Sequence, residues 1–217
     1  MTCNAAVAIT KAAVTDERLR ALLDEHLSEV IEIFRTYLHK QYADREVSVE
    51  LLEDQARVLM QVGRVAVALQ GGEITTRIRG NGPNEVTLAE MLNERASTLL
   101  KLIADQLFTN DIERILQSSA RLTGKRAEEV EMEGVKQRAT IFSAIYRNLK
   151  LRVFVLSGGQ VQVFIDSGTF AQAKEATLLL MQQMNSAGAE LQFKSQVEQH
   201  RFGSAHAHIT QTQKGVH

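Results

Sequence analysis

Apolar residues recur at Leu19, Leu22, Leu23, Leu27, Val30, Ile31, Phe34 and Leu38, the three-and-four spacing of one helical face. Arg18, Asp24, Glu25, Glu32 and Arg35 occupy the opposite face. Thr15 is placed to cap this helix, and Asp16 and Glu17 put negative charge at the positive end of its dipole. Val14 and Leu19 have the spacing of a hydrophobic staple. The pattern predicts one helix over about residues 15–43, roughly 43 Å long at 1.5 Å per residue.

From Val47 to Val62 two patterns compete. Val49, Leu51, Leu52, Ala56, Leu59 and Met60 suit a short helix, while Val58, Met60 and Val62 suit a strand. The next segment is unambiguous: Val65, Val67 and Leu69 alternate with small or polar residues, and Ile74, Thr76 and Ile78 alternate again. Gly71-Gly72 between them predicts a hairpin with a primed turn, which needs positive φ. Gly80-Asn81-Gly82-Pro83-Asn84 then breaks structure. Thr87 to Glu90 reads as a capping box opening a helix to about Phe108, with Leu88, Met91, Leu92, Leu99, Leu102, Ile103 and Leu107 as its apolar face. Asn110 with Glu113 repeats the signature and predicts a further helix over about 111–122, ending near Gly124. An acidic run, Glu128, Glu129, Glu131 and Glu133, leads onward.

The second half opens with Val135 to Tyr146, read as a strand with a helix as the competing assignment. Arg147-Asn148 turns it into Leu149–Leu156, and Gly158-Gly159 makes a second two-glycine hairpin into Val161–Ile165. Thr169 to Gln172 is a capping box for a helix to about Met184, ended by Asn185 to Gly188. Ala189–Val197 predicts a last strand, and the polar stretch from His200 a disordered tail. Superposing the glycine pairs lays Val67 to Ile74 on Phe154 to Val161 and Ile78 on Ile165. If that echo is a duplication, the two units share one core.

These elements predict an α+β fold: two antiparallel β-hairpin–helix units packed with a long N-terminal amphipathic helix. The expected organisation is an N-terminal domain over 1–125, a β-hairpin–helix–strand unit over 126–199 and a tail over 200–217.

Composition narrows the function classes. A chain of 217 residues buries a core without staples, and its single cysteine, Cys3, excludes an internal disulfide framework or a Cys-based zinc finger. The 25 basic residues nearly balance 26 acidic ones, which argues against coating nucleic acid or anionic lipid over the whole surface. No apolar run approaches the length of a membrane span, and the N-terminus lacks the basic region of a signal peptide. The expectation is a soluble, cytoplasmic protein with no membrane partner.

The sharpest local motif is Phe164-Ile165-Asp166-Ser167-Gly168-Thr169. Over six residues it resembles the Asp-Ser-Gly-Thr loop of aspartic proteases and the Asp-x-Gly-Thr phosphate loop of the actin and heat-shock ATPases. The protease resemblance implies a strand after the loop, whereas Thr169 opens a helix here, and the ATPase resemblance implies several further motifs. The ordinary reading is that Asp166 ends a strand, Gly168 takes an unusual φ and Thr169 caps a helix. His200, His206, His208 and Glu198 cluster in sequence but in a polar segment without a rigid scaffold for zinc. His26 and His39 have no metal-ligand spacing. No nucleophile elbow, phosphate loop or dinucleotide fingerprint occurs, so no catalytic set, metal or cofactor is expected.

Three basic clusters remain: Arg77 with Arg79; Arg147, Lys150 and Arg152; and Arg121, Lys125 and Arg126. Such patches can hold phosphates through counterion release. The leading expectation is a non-enzymatic interaction, assembly or regulatory protein that self-associates as a homo-oligomer or binds a protein partner. Its surface is expected to be the helical stripe Leu19, Leu23, Leu27, Val30, Ile31, Phe34 and Leu38. The alternative is a nucleic-acid-binding accessory protein using Arg77, Arg79, Arg147, Lys150 and Arg152.

Overall fold

A computed structural model describes residues 6–52, 57–70, 73–78, 83–132, 135–165, 167–193 and 198–201. In chain order the elements begin with β1 (Ala6–Val14), α1 (Asp16–Glu25) and α2 (Leu27–Gln41). Then come β2 (Val47–Leu52), β3 (Arg57–Val62), β4 (Val65–Gln70), β5 (Glu73–Ile78) and α3 (Pro83–Ser119). The rest are β6 (Arg121–Met132), β7 (Val135–Tyr146), β8 (Leu149–Leu156), β9 (Gln160–Ile165), α4 (Phe170–Ser186), β10 (Leu191–Phe193) and β11 (Glu198–Arg201). Among the described residues there are two antiparallel sheets and four helices, and the class is α+β, as expected. One unit comprises Asp16–Leu107; the other joins the residues up to Thr15 with those from Phe108 onward. Residues 125 and 126, on either side of the expected boundary, both lie in β6.

In the Asp16–Leu107 unit, the expected first helix is two helices. His26 leaves helical geometry at φ −112° and ψ 27°. Leu22 and Ile31 are both buried, although nine residues at about 100° each place them on opposite sides of a straight helix. The break lets α1 bury Leu22 and Leu23 while α2 buries Val30, Ile31, Phe34 and Leu38. The ambiguous segment is strand over Val47–Leu52 and Arg57–Val62, and β2, β3, β4 and β5 form a four-stranded antiparallel meander. Val49 opposes Met60, Met60 opposes Val67 and Val58 opposes Leu69, so alternate residues build one buried face. Phe34 and Leu38 of α2, Met60 and Val67 of the sheet, and Leu92 and Ala96 of α3 surround a residual void of about 10 Å³. An Arg35 guanidinium nitrogen donates to the Val49 carbonyl at 3.2 Å and ties α2 to β2. Gln70 opposes Glu73, the spacing of a two-residue turn; Gly71 and Gly72 themselves lie outside the described residues.

Helix α3 is one element of 37 residues where two were expected. Proline suits its first turn, where the missing N–H has no helical partner. Thr87 is therefore interior, and its Oγ1 donates to the Pro83 carbonyl at 3.1 Å rather than capping. No glycine or proline follows from Asn84 to Ser119. Leu88, Leu92, Ala96 and Ile103 are buried in the first stretch, and Phe108, Ile112, Ile115 and Leu116 in the second. At about 100° per residue these two sets lie on different sides of the helix. The apolar stripe changes phase near Leu107, and that change imitates a helix end at Asn110.

The second unit holds a seven-stranded antiparallel sheet in the order β10-β1-β9-β8-β7-β6, with β11 also on β1. β1 was not expected: it lies inside the sheet, with Ala8 opposite Ile165 and Ala13 opposite Gln160. The 128–131 part of the acidic run is also strand, within β6. The turn between β7 and β8 has Arg147 at φ 48° and Asn148 at φ 66°, the two positive values of a primed hairpin. The glycine hairpin differs from expectation, because Leu156 opposes Gln160 and leaves a three-residue loop, Ser157 to Gly159. Thr169 caps α4 in a full capping box with Gln172. After α4, Asn185 brackets Leu191, donating to its carbonyl at 2.9 Å and accepting from its N–H at 2.6 Å. β10 lies within the expected last strand, Ala189–Val197, and β11 begins beyond it, so His200 and Arg201 of the expected tail are strand; the rest of that tail, from 202, lies outside the described residues. Both units share an order of elements, a four-stranded meander followed by a helix: β2–β5 then α3, and β6–β9 then α4.

Candidate functional site

β6 is an edge of the seven-stranded sheet, and among the described residues no strand pairs with its outer side. Its sequence has two charged blocks, Arg121, Lys125 and Arg126 followed by Glu128, Glu129 and Glu131. All but Glu128 are exposed, and so is Ala127 between the blocks. On its inner side the strand is held to β7 by complementary neighbours: Glu129 opposes Arg138 and Glu131 opposes Lys136. Opposite charges in cross-strand positions favour that register. A bulge interrupts the ladder between Leu122 and Gly124, so the regular stretch begins at Gly124.

Individual charges are partly engaged. Arg126 Nε lies 3.2 Å from Glu128 Oε2 along the same strand. Lys125 pairs with Glu113 of α3, and its Nζ stands 5.6 Å from the Phe142 ring centroid. Val130 belongs to a buried cluster with Ala139, Ile141, Phe154, Leu156 and Phe164, in which the two phenylalanine rings are 4.8 Å apart. That cluster anchors the acidic half of β6 to the sheet.

The register also gathers basic residues that were separate in sequence. Arg121 opposes Ile145, which opposes Lys150; Gly124 opposes Ser143, which opposes Arg152; Arg126 opposes Ile141. Directly opposed residues share a face, so Arg121, Arg126, Lys150 and Arg152 project from one side of the sheet. Arg147 stands apart in its turn, 5.8 Å from the Tyr146 ring centroid and 3.8 Å from Glu175. Arg77 lies in β5, in the other unit, and Arg79 lies outside the described residues.

The helical stripe expected to mediate association sits elsewhere. Leu23, Val30, Ile31, Phe34 and Leu38 are buried in the chain itself, and Leu19 and Leu27 are half-buried. Met60, Val62 and Val67 of the four-stranded sheet and Leu92 and Ala96 of α3 lie around Phe34 and Leu38.

In the Asp-Ser-Gly-Thr segment, Asp166 lies outside the described residues. Ser167 Oγ accepts the Lys150 backbone N–H at 2.7 Å, Gly168 holds φ +79° and Thr169 caps α4. These three residues have local structural work of the ordinary kind. His206 and His208 also lie outside the described residues, and His200 falls in β11.

An open cleft of about 300 Å³ lies beside the start of α3, where Arg45 and Arg64 face Glu46 and Glu85. Arg64 and Glu85 approach to 3.9 Å, and the lining charges cancel. Burial raises the Tyr42 phenol above its ordinary range, Tyr37 adds to the effect, and Arg95 and Arg45 oppose it, so Tyr42 stays protonated at neutral pH. Among the described residues no helix is long and apolar enough to cross a membrane. Comparison with models of known protein families, with curated proteins and with solved structures finds no match for this chain.

Proposed function

We propose that this chain is a non-enzymatic interaction and assembly protein that associates with copies of itself. The observation that supports this reading is the open edge of β6, 12 residues long. An edge strand presents a row of N–H and C=O groups that another strand can pair with directly. A cytoplasmic setting fits a chain with one cysteine in 217 residues. Sedimentation equilibrium from about 1 to 100 μM, a range spanning typical association strengths, tests the reading. The expected mass is a multiple of one chain; a single-chain mass throughout would overturn self-association.

A second reading, a nucleic-acid-binding accessory protein, is supported by Arg121, Arg126, Lys150 and Arg152 on one face of the sheet. Its expected mark is binding of a short oligonucleotide that weakens steeply with salt, as counterion release requires.

A further inference from the structure

Resting on the proposed self-association, we infer that the partner at the β6 edge is β6 of a second copy, antiparallel across a twofold axis at Ala127. The regular stretch after the bulge runs from Gly124 to Met132. Within it the charged run Lys125, Arg126, Glu128 and Glu129 is centred on Ala127. Placing Ala127 against Ala127 puts Arg126 against Glu128 and Lys125 against Glu129, each pair occurring twice by symmetry. Gly124 falls opposite Val130 and leaves room for its side chain.

The charge order selects this register over its neighbours. A twofold axis normal to the sheet keeps the two faces continuous only for shifts of an even number of residues. A shift of two residues one way sets Arg126 on Arg126; the other way sets Glu128 on Glu128. A protective edge carries scattered charge, or charge of one sign, that repels its own copy. Here a basic block precedes an acidic block, so an antiparallel copy meets each block with its opposite. The Arg126–Glu128 pair seen within one strand becomes half of a square of alternating charges. Glu129, already opposite Arg138, gains Lys125 of the second copy on its other side.

The test is a charge swap in the full chain, read by sedimentation. Arg126→Glu alone and Glu128→Lys alone each face like charges at the axis, so each should weaken the dimer about tenfold or more. An equimolar mixture restores both pairs and should form a mixed dimer of near wild-type strength. Independently, with Cys3 replaced by serine, Ala127→Cys should cross-link to its copy under mild oxidation, whereas Glu131→Cys should not. The Ala127→Cys experiment leaves every charge in place and so remains decisive if a swapped variant misfolds. A wild type that self-associates without mixed-dimer recovery, or without the Ala127→Cys cross-link, overturns this pairing and leaves the proposed function standing. A wild type that stays monomeric overturns self-association itself. Loss of oligonucleotide binding in Arg126→Glu at unchanged mass assigns the charges to nucleic acid and also overturns the pairing.

Discussion

A Cβ built on Gly168 stands 2.8 Å from Cδ2 of Leu149 and 3.0 Å from Oε1 of Gln172, and Gly168 holds φ +79°. The start of α4 therefore comes against β8 at a point where any side chain would have to displace the ends of Leu149 and Gln172. Gly168→Ala meets both a close contact and a disfavoured backbone, each a recognised source of destabilisation. The expected loss is about 2 kcal/mol in denaturant unfolding. A change below about 0.5 kcal/mol, the range of a neutral surface substitution, would mean the approach is relieved at no cost.

Thr169 Oγ1 accepts the Gln172 backbone N–H, and the Gln172 side chain returns to the Thr169 backbone N–H at 2.9 Å. Thr169→Ala should cost about 1 kcal/mol, and Thr169→Ser should keep most of it. Equal losses for the two variants would assign the effect to the threonine methyl instead of the cap.

Thr87 offers the opposite sign. It is exposed and interior to α3, so Thr87→Ala should leave stability unchanged or raise it by about 0.5 kcal/mol through helix propensity. A fall of about 1 kcal/mol, the loss typical of an N-cap, would restore Thr87 as the start of the helix.

Lysine substitutions on α2 separate a core stripe from a docking surface. Ile31 is 5% exposed, so Ile31→Lys forces a charge into the unit and should lower unfolding stability by about 3 kcal/mol or more. Leu27 is half-buried and Leu27→Lys should cost much less. Neither should split an assembly while the chain stays folded; if Leu27→Lys does so at an unchanged melting temperature, the first helices carry the contact after all.

What could be read from the sequence was local. The Arg147-Asn148 turn, the Thr169 capping box and the alternation of β4, β8 and β9 each depend on a few neighbouring residues, and the structure has them where the pattern placed them. What escaped depends on distant ones. No glycine or proline marks His26, because the break answers to where Leu22 and Ile31 must each be buried. β1 is an alanine-rich run whose strand state comes from pairing with β9. The phase change in α3 mimicked two helices. The charges of β6 are visible in the sequence as one basic cluster and one acidic run, but nothing local marks them as parts of one strand. That Arg121 and Arg126 share a face with Lys150 and Arg152 follows only from the ladder through β7.

The pairing of Ala8 with Ile165 also sets an order of events during synthesis. All of Asp16–Leu107 lies between β1 and the strand it must meet, so that unit's chain is complete while β1 still lacks β9. At about 5–20 residues per second, the ribosome delivers β9 roughly 8–30 s after β1. Throughout that interval β1 has neither neighbour, since β10 and β11 emerge later still. Closing so long a loop is slow compared with the hairpins on either side of it. The seven-stranded sheet is thus the last part to mature, and the nascent chain's exposure to chaperones and to misassembly is concentrated in its first strand.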